Sequence, residues 1–128
     1  MRLTLDTNRY VDLCRGDPDV VDKVACADQV FLPFVVMGEL RAGFRLGRQT
    51  RGNERVLQRF LALPKVHILF ASEATTGHYA EVFGQLRDQG TPVPTNDMWI
   101  AALVLEHRLT LYSRDDHFRH LPQLDWLR

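Results

Sequence analysis

The chain has little lysine, little cysteine and no excess of either charge. Lys23 and Lys65 are its lysines, and its sixteen Lys and Arg residues are balanced by sixteen Asp and Glu residues. The zero net charge excludes the strongly basic class of nucleic-acid-binding proteins. A phospho-acceptor receiver domain has a similar length, but it needs a late lysine that is missing here.

The two cysteines, Cys14 and Cys26, form no Cys-x-x-Cys pair and have no histidine at zinc-ligand spacing. Both lie in helix-like apolar patterns, so we expect buried, reduced thiols and a cytoplasmic protein. No apolar run approaches membrane-spanning length, and Asp6 interrupts the first apolar stretch. We therefore expect neither a membrane segment nor a signal peptide.

Several common catalytic patterns are also missing. The chain has no glycine-rich phosphate loop and no nucleophile-elbow serine, and the segment DTNRY lacks the second aspartate that an aspartyl-nucleophile phosphatase requires. The five histidines form no His-x-x-x-His pair. His117 and His120 are three residues apart near Asp115, and we expect both to be structural or solvent-exposed.

What remains is a chain of 128 residues that fits one domain spanning residues 1–128. Short apolar segments predict strands at 2–5, 29–33, 66–70 and 109–113, and residues 124–128 are the candidate for a last short strand. Helical patterns fill the intervals, including a helix that follows a loop near 52–53 and another over 97–107. This alternation predicts an α/β fold with a short, mainly parallel central sheet.

Four acidic residues are candidates for one shared pocket. Asp6 follows the first predicted strand and Asp115 follows the fourth, so both should lie on the rim where open α/β sheets bind ligands. Glu39 and Asp97 occur in apolar surroundings, where an unpaired charged carboxylate is costly. Taken singly, each acid also fits a structural role as a helix cap, a turn residue or an exposed helix residue.

A group of carboxylates implies a cation. Clustered carboxylates repel one another and are driven toward protonation unless a positive charge neutralises them. Oxygen ligands without clustered His or Cys favour Mg²⁺ or Mn²⁺ over Zn²⁺. Such a site is typical of phosphodiester hydrolysis, in which the metal activates a water molecule.

Arginine is concentrated between residues 41 and 59, where only Glu39 and Glu54 oppose it. The arginines of this segment are Arg41, Arg45, Arg48, Arg51, Arg55 and Arg59. The pattern fits either a solvated helix face or a surface that contacts phosphate or an acidic partner.

Four segments, in this order, resemble the PIN domain, and most closely the VapC-type toxins of bacterial toxin–antitoxin pairs. They are LDTN at 5–8, GEL at 38–40, PTNDMWIAA at 94–102 and YSRDDHF at 112–118. The resemblance covers nearly the whole chain. It implies a three-layer α/β/α PIN-like fold and a ribonuclease that depends on Mg²⁺ or Mn²⁺.

The resemblance also implies roles for particular residues and partners. By position, the catalytic acids and metal ligands are Asp6, Glu39, Asp97 and Asp115. Residues at or beside these motifs are expected to contact substrate or partner, namely Asn8, Arg41, Ser113 and Arg114. An RNA substrate, a small VapB-like antitoxin that blocks the site, and a homodimer are implied in the same way.

The adjacent acids Asp115 and Asp116 cannot both face the pocket in an extended segment. Asp115 and Phe118 are three residues apart and share a side in a helical turn. We therefore expect Asp115 to face the metal with Phe118 packed beneath it, and Asp116 to cap the turn. The resemblance selects the same acid.

Two further interpretations stay open at this point. The chain could be a nuclease of the same fold that acts on RNA or DNA outside any toxin pair, or a non-catalytic binding module that retains the fold. The complete set of acids argues against the binding module.

Overall fold

The computed structural model describes residues 1–128 as five strands, six α-helices and one short 3₁₀ helix. The strands are β1 (Arg2–Leu5), β2 (Gln29–Pro33), β3 (Val66–Leu69), β4 (Thr110–Tyr112) and β5 (Asp125–Leu127). The helices are α1 (Thr7–Cys14), α2 (Pro18–Cys26), α3 (Phe34–Leu46), α4 (Thr50–Leu61), α5 (Glu73–Gln89) and α6 (Thr95–His107), and the 3₁₀ helix spans Asp116–His120.

The five strands form one parallel sheet in the order β3-β2-β1-β4-β5. Strand β1 is central and pairs with β2 on one side and with β4 on the other. The strand order reverses between β1 and β4, which is where sheets of this kind bind ligands beyond their carboxyl ends. The predicted α/β class and parallel sheet are confirmed.

Helices cover both faces of the sheet. Right-handed crossovers place α1–α4, which connect β1, β2 and β3, on one face and α5 and α6 on the other. This confirms the expected three-layer arrangement. Helix α6 is the most apolar helix, and its apolar side chains, such as Ile100 and Leu103, are fully buried.

Two local predictions were wrong. Helix α4 begins at Thr50 rather than after a loop near 52–53, and the Thr50 hydroxyl donates a 2.7 Å hydrogen bond to the carbonyl oxygen of Phe44. This bond fixes the helix start before the glycine. Cys14 and Cys26 are exposed, not buried, because each is the last residue of its helix, where the chain leaves the core.

None of the helices combines the length and apolar character needed to cross a lipid bilayer.

Candidate active site

Asp6 lies directly after β1, at the point where the strand order reverses. Its backbone N–H continues the sheet by donating to the carbonyl oxygen of Tyr112 at 3.1 Å. Its side chain is 4% exposed and begins α1, because Oδ1 accepts the backbone N–H of Thr7 at 2.8 Å. The helix-cap role that we considered for Asp6 is therefore real, but it uses only one of the two carboxylate oxygens.

The other oxygen of Asp6 is held by side chains from both segments that follow β1 and β4. Ser113 Oγ donates to Asp6 Oδ2 at 2.5 Å, and Asn8 Nδ2 donates to the same oxygen at 3.3 Å. Ser113 Oγ also accepts the backbone N–H of Asp115 at 3.0 Å, and Asn8 Oδ1 accepts that of Arg114 at 3.0 Å. Asn8 and Ser113, expected to contact substrate or partner, are thus used inside the protein to fix the position of Asp6.

Asp97, Asp115 and His117 form the second part of the site. Asp97 is 8% exposed in the first turn of α6, and its Oδ2 lies 3.1 Å from His117 Nδ1. The same imidazole nitrogen lies 2.9 Å from Asp115 Oδ1. One ligand atom from each residue lies within 4.8 Å of the others, a spacing that could hold a metal ion.

His117 contributes a contact to the site that the sequence did not predict. Its side chain is 46% exposed, as expected for a solvent-facing histidine, yet its ring contacts two acids. The sequence contained one weak signal for this contact. A histidine two residues after an acid, at the start of a helical turn, can bond that acid through both its backbone and its ring.

Glu39 lies in the second turn of α3 and is exposed, so the burial expected from its apolar neighbours was wrong. Val36, Met37 and Leu40 occupy the core-facing side of the helix instead. Loss of hydration raises the pKa of Glu39, and the charges of Asp6 and Asp115 raise it further. Glu39 is therefore at the open rim of the same cluster.

The acids of the cluster carry unusual proton affinities. Burial is the largest cause that raises the pKa of Asp6, although the hydrogen bonds from Ser113 and Thr7 oppose it. Burial, followed by repulsion from Asp115 and Asp6, raises the pKa of Asp97 to about 7. No lysine or arginine forms an ion pair with any of these acids. An oxygen-rich donor set without a lysine or arginine partner fits a divalent metal ion.

Asp116 points away from the cluster. It forms an ion pair with Arg128, which lowers its pKa. The expectation that Asp116 caps the following turn was wrong, because Asp115 is the residue that accepts the N–H of His117 at 2.9 Å. Phe118 is buried, as expected from its spacing.

The two arginines expected to contact substrate or partner are held in ion pairs. Arg41 donates from Nη2 and Nε to Glu54 Oε1 at 2.7 and 3.0 Å. Arg114 donates from Nε and Nη2 to the two carboxylate oxygens of Asp12 at 2.8 and 3.1 Å. The remaining arginines of the 41–59 segment make no ion pair with any acid, and they are Arg45, Arg48, Arg51, Arg55 and Arg59.

Asp12 was not singled out from the sequence. It is 9% exposed and also accepts a 3.1 Å bond from Arg9 Nη1. Arg9 in turn lies over the ring of Tyr112, 4.5 Å from its centroid. Asp12 thus anchors the segment after β4 to α1, beside the acid cluster.

Comparison with known proteins gives a consistent result. The family model of the PIN domain matches residues 3–124. The chain is 26% identical over 127 residues to Ribonuclease VapC1 of Haemophilus influenzae strain R2866, covering 95% of this chain and 93% of that protein. It is 30% identical over 122 residues to Toxin FitB of Neisseria gonorrhoeae, covering 88% and 87%.

Solved structures show the same fold. The crystal structure of VapBC2 from Rickettsia felis, bound to a DNA fragment from its promoter, contains a chain that matches with a TM-score of 0.88 and 24% identity, covering 99% of this chain and 98% of that one. The structure of VapBC-1 from nontypeable Haemophilus influenzae matches with a TM-score of 0.87 and 25% identity, covering 99% and 97%.

Proposed function

Because the chain belongs to the PIN domain family, we propose that it is a metal-dependent endoribonuclease and the toxin of a toxin–antitoxin pair. The observation that carries this proposal is the meeting of Asp6, Asp97 and Asp115 where the strand order reverses, without a lysine or arginine to neutralise them. Relatives of similar length are named ribonucleases of the VapC type.

We propose that Asp6, Asp97 and Asp115 hold Mg²⁺ or Mn²⁺, with Glu39 at the open rim. When bound, such an ion lowers the pKa of a water molecule and neutralises charge on the leaving oxygen of a phosphodiester. Folding brings these acids together although they repel one another. Hydrogen bonds from Ser113 and Asn8 hold Asp6 in place, and a contact with His117 holds Asp97.

The residues of the chain have distinct parts in this mechanism. Ser113 and Asn8 donate hydrogen bonds to Asp6 Oδ2 and fix the orientation of the carboxylate. The carboxylate therefore does not have to rotate when it binds a cation. Glu39 is the accessible acid, and its raised pKa makes it a better proton acceptor than an ordinary exposed glutamate. Nδ1 of His117 contacts a carboxylate oxygen of both Asp97 and Asp115, so it keeps these two acids close together.

The proposed metal requirement is tested with purified protein and a single-stranded RNA. We expect cleavage with Mg²⁺ or Mn²⁺ and none after EDTA, with activity restored when excess metal is added back. An Asp97→Asn protein purified in parallel is the control for contaminating nuclease. Cleavage that survives EDTA in the wild-type protein, while the control is inactive, would rule out the metal mechanism.

The toxin role is tested in cells. The structural neighbours are described as VapBC complexes, so we propose a small VapB-like antitoxin as the partner, in the cytoplasm, and a homodimer as the assembly. Expression of the chain should stop growth, and co-expression of a short reading frame found directly upstream of its gene should restore it. Growth arrest that no neighbouring reading frame relieves would favour a nuclease outside a toxin pair.

A further inference from the structure

A groove of about 620 Å³ runs from the acid cluster along the surface between α1, α3 and α4. Thr7, next to Asp6, and Glu39 line the end nearest the cluster. Its volume lies within the range of roughly 300–1,000 Å³ that is typical of small-ligand sites. The groove is therefore continuous with the proposed catalytic site and large enough for a nucleoside.

The walls of the groove are largely apolar and include the aromatic rings of Tyr10 and Phe44. Val11, Leu40, Phe44 and Val56 line it. Single-stranded RNA is recognised mainly through bases that leave the stack and lie against apolar or aromatic side chains. Walls of this kind fit the two faces of a base.

The groove also contains a polar side chain that has no hydrogen-bond partner in the protein. Asn53 lines it and is half-buried, and its side-chain amide makes no hydrogen bond with another residue. A side-chain amide offers both a donor and an acceptor. Asn53 is therefore available to the edge of a base.

A cation lies at the far end of the groove from the acids. Arg15 lines this end, is exposed and forms no ion pair. Acids at one end and a guanidinium at the other match a nucleotide whose scissile phosphate sits at the metal site and whose neighbouring phosphate meets Arg15.

We propose that this groove binds one base of the RNA substrate next to the cleaved phosphodiester, with Asn53 reading the edge of the base. The proposal rests on the ribonuclease function proposed above. It makes the α1–α3–α4 groove, rather than the acid cluster, the part of the molecule that determines where an RNA is cut.

Gly43 provides a direct way to fill the groove. It lines the groove from the interior of α3, and a Cβ atom added there would meet no atom within 4 Å. Gly43→Leu therefore places a side chain in the groove without a clash, and leucine favours the helix over glycine. Gly77→Leu in α5 is the matched control, since Gly77 is also helical and unobstructed but lies outside the groove.

The first measurement is binding and is independent of cleavage. Fluorescent, 2′-O-methylated oligonucleotides of each base, which resist cleavage, are titrated in Ca²⁺ with the full chain. We expect a preference for one base, a loss of about tenfold in its affinity for Gly43→Leu, and no change for Gly77→Leu. Asn53→Ala should reduce the difference among the four bases while the protein stays as stable as wild type.

The second measurement maps cut positions in a randomised RNA pool with Mn²⁺. Wild type and Gly77→Leu should share a base preference beside the cut, and Gly43→Leu and Asn53→Ala should weaken it. If cleavage proceeds but neither variant alters base preference or affinity, the groove proposal is wrong while the ribonuclease function stands. If no protein cleaves RNA but the base-dependent binding responds to Gly43→Leu, the nuclease proposal fails and the groove proposal stands.

A third result would assign the groove to another ligand. A Gly43→Leu protein that keeps wild-type affinity for all four oligonucleotides, but no longer forms a complex with the antitoxin, would mean that the groove receives the partner protein. That result would overturn the base-binding proposal.

Discussion

Asp6 and Asp12 are both buried aspartates of the same short stretch of chain, yet their surroundings are opposite. Asp6 receives hydrogen bonds from neutral groups and faces other acids, and burial raises its pKa. Burial acts in the same direction on Asp12, but hydrogen bonds and charges from Arg114 and Arg9 outweigh it and lower its pKa. Asp12 is therefore neutralised by two arginines of the protein, whereas Asp6 has no cationic partner in the protein.

The same division recurs elsewhere in the molecule. Asp116 pairs with Arg128, and Glu54 pairs with Arg41, and each has a lowered pKa. Asp97 and Glu39 have no arginine partner, and each has a raised pKa. We therefore expect the acids that the protein itself neutralises to have a structural function, and the unneutralised group of acids to have a function that depends on a ligand.

The largest expected effect comes from Asp97→Asn, which should abolish RNA cleavage and growth arrest. In metal-free buffer the variant should be more stable than wild type, because it removes a negative charge from a repelling group. Asp97 is not a helix cap that the substitution would remove, since its side chain bonds only His117. A lower melting temperature for Asp97→Asn in EDTA would contradict this interpretation.

The pH dependence of this stability difference has a definite sign. The pKa of Asp97 rises from 3.8 in the unfolded chain to about 7 in the fold. The metal-free protein therefore loses stability as the pH rises from about 4 to 7, and the loss is complete above 7. Thermal unfolding in EDTA should show an advantage for Asp97→Asn on the order of 1–3 kcal/mol at pH 8, and little at pH 4. A constant difference between those pH values would contradict the assignment.

Asp12→Asn should lower stability, whereas Asp6→Asn should lower activity without lowering stability. Losing the Asp12 charge leaves Arg9 and Arg114 without their acid, so we expect a loss of about 2 kcal/mol, reduced from the cost for a fully buried pair because Arg114 is half exposed. Asp6→Asn should leave stability in EDTA unchanged or raised, but it should eliminate cleavage. Chemical unfolding of both variants checks the contrast, and equal destabilisation would show that both acids are structural.

Asp115 and Asp116 provide the same test in adjacent positions. Asp115→Asn should reduce cleavage substantially, though less than Asp97→Asn, because asparagine still offers an oxygen. Asp116→Asn removes an exposed ion pair with Arg128 and should leave cleavage nearly intact. Single-turnover cleavage at saturating Mn²⁺ compares the two, and a larger loss for Asp116→Asn would show that the wrong acid was selected.

The smallest effect is expected from replacing the arginines of the 41–59 segment that have no acidic partner. Arg48, Arg51 and Arg55 form no ion pairs, in contrast to Arg41. Their replacement with Gln should weaken binding of RNA or antitoxin and flatten its dependence on salt, because fewer counterions are released. Affinity measured from low to physiological salt gives the slope of log affinity against log salt concentration. An unchanged slope for both RNA and antitoxin would mean that the segment is only a solvated helix face.

The sequence was sufficient for the sheet and for most of the acid cluster. Short apolar strands separated by helices predict a parallel sheet, and acids after the first and fourth strands meet because parallel strands end at one edge. The structure places Asp115 in the cluster and pairs Asp116 with Arg128, and Phe118 is buried as the spacing predicts. The assignment of catalytic roles to these acids stays a prediction.

The contacts that the sequence did not predict, and the error on Glu39, occur where tertiary contacts, which leave no periodic pattern, decide the outcome. His117 contacts Asp97 across 20 residues of sequence, and Asp12 meets Arg114 across 102. The exposure of Glu39 depends on how far α3 is rotated against the sheet, which the apolar content of its neighbours does not specify. Single residues in such contacts have no local signature.

The pairing of β1 with β4 determines when the acid cluster can form during synthesis of the chain. Asp6 is synthesised more than 100 residues before Ser113 and Asp115, which complete its surroundings. A nascent chain that has not passed β4 has Asp6 and Glu39 but no closed acid cluster. We therefore expect a nascent chain to gain the ability to cut RNA only after β4 has been synthesised, and a chain truncated before β4 to lack it.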